Sequence, residues 1–148
     1  MSTTQDGAAC DVGLPTGPVL RALDLLRLSL VAGPHLVKAM LSPLPFGDRW
    51  ALDGIVTAIY LITDAQGRIR WLGQASREDD LAGRLHDHAR HPERIKVFAH
   101  VRVLHLADHT PQKAVDAIEG RCADLLGLRG AMGRRRWPTS DSWLAQMR

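Results

Sequence analysis

The sequence predicts an α+β fold, and three observations carry that prediction. Ile55–Ile62 is rich in β-branched and aromatic residues, Arg68–Leu72 is a second short extended run, and Val97–Leu106 alternates between its two faces. Apolar residues recur at helical spacing elsewhere, at Leu81, Leu85 and Ala89 and again at Val115, Ile118, Cys122 and Leu125. Turn, cap and breaker residues separate these segments. The order is strand, strand, helix, strand, helix behind an N-terminal helical extension, with no internal repeat or low-complexity tract.

Residues 1–17 mix Ser, Thr, Gly, Asp and Pro without apolar periodicity, the composition of a flexible arm. Residues 18–50 read as accessory helices and a linker. Leu20, Leu23, Leu26 and Leu30 fall at helical spacing after Pro18, and Gly33-Pro34 ends that helix. A second short helix is expected over Pro34–Met40, followed by a breaker-rich linker at Ser42, Pro43, Pro45, Gly47 and Asp48. The main domain spans residues 53–138. Asp64-Ala65-Gln66-Gly67 joins its first two strands as a hairpin. Ser76 through Asp79 matches a capping box for a helix running to Arg90, where His91-Pro92 marks the end. Thr110-Pro111 opens the last long helix and Gly127 stops it. A short C-terminal helix over 139–148 starts near Ser140.

The chain has 148 residues, 19 Lys+Arg against 16 Asp+Glu and a formal charge of +3, with arginines concentrated in the last third. That length fits one compact domain with a modest extension, and the charge favours anionic partners. Cys10 and Cys122 show no disulfide framework or zinc-ligand spacing. The most apolar stretch, Pro18–Val31, is broken by Arg21, Asp24 and Arg27 and falls short of the roughly 20 residues of a membrane span. With no basic leader at the amino terminus, a cytoplasmic location is expected.

Four short segments carry more specific information: Ala58-Ile59-Tyr60, then Trp71-Leu72-Gly73-Gln74-Ala75-Ser76, then Arg84 four residues before His88, then Ile118-Glu119-Gly120-Arg121. In this order and spacing they resemble the motifs of the GIY-YIG nuclease family. The resemblance spans a little over half of the chain and implies a small three-stranded antiparallel sheet flanked by helices. It further implies metal-dependent endonucleolytic hydrolysis of a nucleic-acid phosphodiester, with DNA as the expected partner and Mg²⁺ or Mn²⁺ as the cofactor. By resemblance Tyr60 receives the proton of the attacking water, Arg84 holds the scissile phosphate, His88 supports either, and Glu119 binds the metal. Two positions depart from the pattern. Ala58 stands where the family has glycine, and Trp71 stands where it has a second tyrosine; an indole N–H can donate but cannot take up a proton. The chain also lacks any asparagine, although members often carry one after the metal-binding helix.

The chemistry is coherent without the family. Phosphodiester hydrolysis needs a deprotonated water, a cation against the phosphoryl oxygens and help for the leaving oxygen. Arg84 and His88 lie one helical turn apart and share a face. Each residue taken singly also fits an ordinary role: a solvated basic helix face, a strand tyrosine, a surface carboxylate beside Arg121 or Lys113. Arg129, Arg134, Arg135, Arg136 and Trp137 form a basic cluster with an adjacent aromatic, suited either to nucleic-acid contacts or to a solubilising face with Trp137 and Trp143 packed inward. Two alternatives to cleavage stay open at this level: a catalytically weak nucleic-acid-binding module, and an enzyme that reuses the fold for other chemistry.

Overall fold

The computed structural model describes residues 14–76, 79–133 and 135–148. Within them the elements run α1 (Ala22–Leu28), β1 (Leu36–Pro45), a 3₁₀ segment (Phe46–Leu52), β2 (Thr57–Thr63), β3 (Ile69–Ala75), α2 (Leu81–Ala89), α3 (Pro92–Ile95), β4 (His100–Leu106), α4 (Gln112–Leu125) and α5 (Trp143–Gln146). The fold is α+β. Its sheet is antiparallel throughout, in the order β1-β4-β2-β3. Among the described residues no helix is long and apolar enough to cross a membrane.

The hairpin of β2 and β3 forms for local reasons. Asp64 Oδ1 accepts from the Gln66 and Arg68 amides, and Gly67 supplies the positive φ the turn requires. The other carboxylate oxygen of Asp64 accepts from Arg70 Nε at 2.9 Å, so a buried ion pair locks the turn to the strand after it.

A fourth strand replaces the expected helix at Pro34–Met40 and the linker that follows. Lys, Ala, Met and Leu are good helix formers, but Leu36–Pro45 pairs with β4 instead, Ala39 opposite Leu104 and Met40 opposite Val103. Local propensity of a few tenths of a kcal/mol per residue gives way to burial of this kind. Two register shifts and an edge position accommodate Pro43 and Pro45, which a central strand would not. Residues 18–50 therefore belong to the sheet's own layer structure. The last part of the expected arm is also ordered: Leu14 is buried, and residues 17–20 hydrogen-bond along the start of β3 through Gly17, Pro18 and Leu20. Residues 1–13 lie outside those described.

Alternation along β2 divides the core. Ile59 and Leu61 face α1 and α4, packing with Val115, Ile118 and Cys122. Ala58, Tyr60 and Ile62 face α2 and the 3₁₀ segment, packing with Leu81, Leu85, Phe46 and Phe98. Helix α2 starts later than the capping-box reading gives. Asp80 is its N-cap, accepting from the Gly83 amide at 2.9 Å, while Ser76 forms an isolated bridge with Asp79. Helix α4 ends where expected, because Gly127 at φ +66° lets the Leu128 amide reach Ala123 O and its own amide reach Asp124 O. The chain then returns over α4 at Gly120, where any side chain would strike the Pro138 carbonyl, and crosses the outer edge of β3.

Candidate active site

Tyr60 is fully buried in the middle of β2. Its hydroxyl lies 2.8 Å from His88 Nε2, which α2 brings across the same face. Gly73 on β3 makes room for this contact: a Cβ at that position would stand 2.7 Å from the Tyr60 hydroxyl oxygen. Trp71 flanks the pair, its ring centre 4.5 Å from that of His88. Two guanidiniums lie against the indole, Arg135 at 4.0 Å and Arg94 at 4.6 Å from the ring centre. Among the described residues the Trp71 N–H is buried without an acceptor, so the second motif position contributes packing and a face for cations, with no hydroxyl.

Glu119 lies on the other side of the sheet, on α4, and reaches the edge strand β3 through Gln74. It is buried, and Gln74 Nε2 donates to its Oε1 at 2.8 Å. The same amide nitrogen reaches Asp116 Oδ1 at 3.0 Å, one helical turn earlier, and Gln112 bonds both Gln74 and Asp116. The C-terminal segment closes the edge. Arg135 Nη2 and Trp137 Nε1 both donate to Leu72 O, at 2.9 and 3.0 Å.

The electrostatics join the two sides. Burial raises the Tyr60 hydroxyl above its ordinary value, and Arg84 and Arg135 offset part of that rise. Burial likewise raises the Glu119 carboxyl, against the Gln74 hydrogen bond and the charges of Arg135 and Arg84. His88 is pushed down to about 3, first by burial and then by Arg94, Arg84 and Arg135, so it is neutral at physiological pH. Tyr60, Arg84, His88, Glu119 and Arg135 thus share one electrostatic neighbourhood at the edge of β3, with an excess of positive charge. Arg84 is half exposed, 3.6 Å from the solvent-facing Asp79 carboxylate, and its charge reaches Tyr60.

The basic cluster divides. Arg129 is occupied structurally: its guanidinium donates to Asp124 and to the carbonyls of Gly120, Trp137 and Pro138, bracing the returning chain against α4. Trp137 is buried, so its ring is closed to stacking, whereas Arg129 stays exposed beside its hydrogen bonds. Arg135 belongs to the site, Arg136 is exposed, and Arg134 lies outside the described residues. The motif reading missed two contributors. Gln74 sits within the quoted strand segment, on the face opposite Gly73, and alternation alone would have directed it toward α4. Arg94 comes from α3, after a proline that reads only as a helix stop, and nothing local marks it.

Among the described residues no three His, Cys, Asp or Glu side chains assemble a ready-made metal cage. A hydrated Mg²⁺ or Mn²⁺ does not need one, since one or two carboxylates plus phosphate oxygens and water suffice. Glu119 fits that role, because its second oxygen has no hydrogen-bond partner among the described residues, and Asp116 is the nearest further carboxylate, sharing the Gln74 amide. Compared with protein-family models, with curated proteins and with solved structures, the chain matches none.

Proposed function

We propose that this chain is a divergent GIY-YIG-type endonuclease, cleaving nucleic-acid phosphodiester bonds, DNA foremost, with a divalent metal. The observation that carries the reading is the buried Tyr60–His88 pair with Arg84 on the same helix, beside strand β3 whose other face holds Glu119 through Gln74, within reach of the same charges. In this reading Arg84 and Arg135 hold the phosphate oxygens, charge-assisted contacts that a positive site favours. Tyr60 takes the proton of the attacking water, and His88 holds the phenol oxygen in place. Glu119 would hold Mg²⁺ or Mn²⁺, which would supply charge neutralisation at the phosphate and the leaving oxygen. Trp71 orients the pair by packing.

One observation favours a second reading, a nucleic-acid-binding module without cleavage: among the described residues the Trp71 N–H has no acceptor, and an indole cannot take up a proton. Nicking of supercoiled plasmid in Mg²⁺ or Mn²⁺ separates the two. The endonuclease reading expects nicking by the wild-type protein, loss on chelation and loss in Glu119→Ala. Retained binding with no nicking under any metal would establish the binding module.

A further inference from the structure

His88 uses both ring nitrogens. Nε2 faces the Tyr60 hydroxyl at 2.8 Å, and Nδ1 faces Arg94 Nη1 at 2.9 Å. An arginine guanidinium only donates, so Nδ1 must present its lone pair. A neutral imidazole carries one proton, which then resides on Nε2. From this geometry we propose that Arg94 locks His88 in the Nε2–H tautomer, making it a donor to Tyr60 and leaving Tyr60 to act as a phenolate.

The consequence follows from proton balance. With Nε2 protonated and Nδ1 occupied, His88 has no site for the phenol proton, so it cannot relay a proton away from neutral Tyr60. Tyr60 must first lose its proton to water that reaches its buried hydroxyl, a step opposed by the burial that raises this group above its ordinary value. The phenolate oxygen then takes one proton from water, the resulting hydroxide forms the new P–O bond as the bond to the leaving ester oxygen breaks, that oxygen takes a proton from water, and Tyr60 is left as the neutral phenol until water removes its proton again. The Nε2–H donor favours the phenolate, as hydrogen bonds to a charged form do. The groups facing Tyr60 are Arg84 and His88 from α2, Arg135 from the C-terminal segment and Glu119 from α4; those facing His88 are Arg94 from α3, Arg84, Arg135 and His91. Burial first, and then the surrounding cations, push His88 down to about 3 and keep it neutral, so the lock holds throughout the working range. Arg94 is a positioning residue, acting through His88.

The catalytic consequence rests on the proposed role of Tyr60, but the tautomer is measurable without any substrate. Tyr60 is the only tyrosine in the chain, so phenolate absorbance near 295 nm reports it alone. Nitrogen-15 NMR of labelled histidine, assigned by difference with His88→Gln, should show His88 protonated at Nε2 and unprotonated at Nδ1. Arg94→Met should release the tautomer and raise the Tyr60 titration midpoint by about one pH unit, a tenfold loss of phenolate at fixed pH; Arg94→Lys, which keeps a donor and a charge, should restore much of it. A wild-type His88 protonated at Nδ1, or a Tyr60 midpoint unmoved by Arg94→Met, overturns the lock. The wild-type spectrum decides the point even if a variant does not fold. Absence of cleavage with the Nε2–H tautomer present would instead count against the nuclease reading and leave the lock standing.

Discussion

Gly73→Ala tests the site's packing directly. A methyl group at Gly73 lands 2.7 Å from the Tyr60 hydroxyl oxygen and 2.8 Å from Cζ, whereas ordinary contact begins at 3.4 Å. The ring end must therefore retreat by about 0.7 Å. It has no free space to enter, because Tyr60 is fully buried and its hydroxyl already touches His88. Overpacking of this kind costs about 1–3 kcal/mol. The shift also stretches or misdirects the contact with His88, and a misplacement approaching 1 Å lowers a positioned reaction by roughly 10–100-fold. Urea denaturation should place the midpoint of Gly73→Ala well below wild type, and metal-dependent nicking should fall with it. Gly47→Ala is the matched control, since an added Cβ there meets nothing within 4 Å and should change stability by no more than about 0.5 kcal/mol. Equal stability of the two variants, with wild-type activity in both, would refute the packing argument.

Glu119→Gln should be more stable than wild type while losing metal-dependent activity. Burial holds the folded carboxyl above the ordinary value of 4.5, so the folded chain binds this proton more tightly than the unfolded chain and loses stability as pH rises through that interval. Thermal melts should show the gain of the glutamine variant at neutral pH and its disappearance below about 4.5. Arg129→Met should lower stability, because three backbone carbonyls lose their donor, and should leave the salt slope of nucleic-acid binding unchanged. Arg136→Ala, at an exposed position, should weaken binding and flatten the salt slope without a change in the urea midpoint. Trp71→Tyr should alter the cleavage rate little, since Tyr60 carries the proton and the ring's work is to support His88, Arg94 and Arg135; a rise of roughly 10²-fold or more would assign the missing hydroxyl a direct role.

What was legible in the sequence was mostly local. The hairpin was readable because Asp64 and Gly67 act within a few residues of themselves, and α4 because its apolar spacing and Gly127 agree. Strand β1 was not, because Leu36–Pro45 consists largely of helix formers and prolines, and only its partner β4, more than 50 residues away, makes it a strand. The same division holds in the site. Tyr60, Arg84, His88 and Glu119 stand out by motif order; Tyr60 and His88 are hydrogen-bonded on one face of the sheet, and Glu119 is held by Gln74 on the other. Trp137 and Arg129 look like ligand-binding residues in composition, yet Trp137 is buried with its N–H on the Leu72 carbonyl, and Arg129 braces the fold through two hydrogen bonds to α4 and two to the returning chain. Arg94 has no sequence signal, since its role depends on where a four-residue helix places one guanidinium.

The central claim concerns the hydroxyl of Tyr60, and Tyr60→Phe removes that group alone. Nicking of supercoiled plasmid in Mg²⁺ by wild type and Tyr60→Phe, with binding and urea midpoint measured on the same preparations, is the most direct measurement. A proton-accepting Tyr60 predicts loss of cleavage by about 10²-fold or more while binding is retained. Cleavage by Tyr60→Phe at the wild-type rate would contradict it.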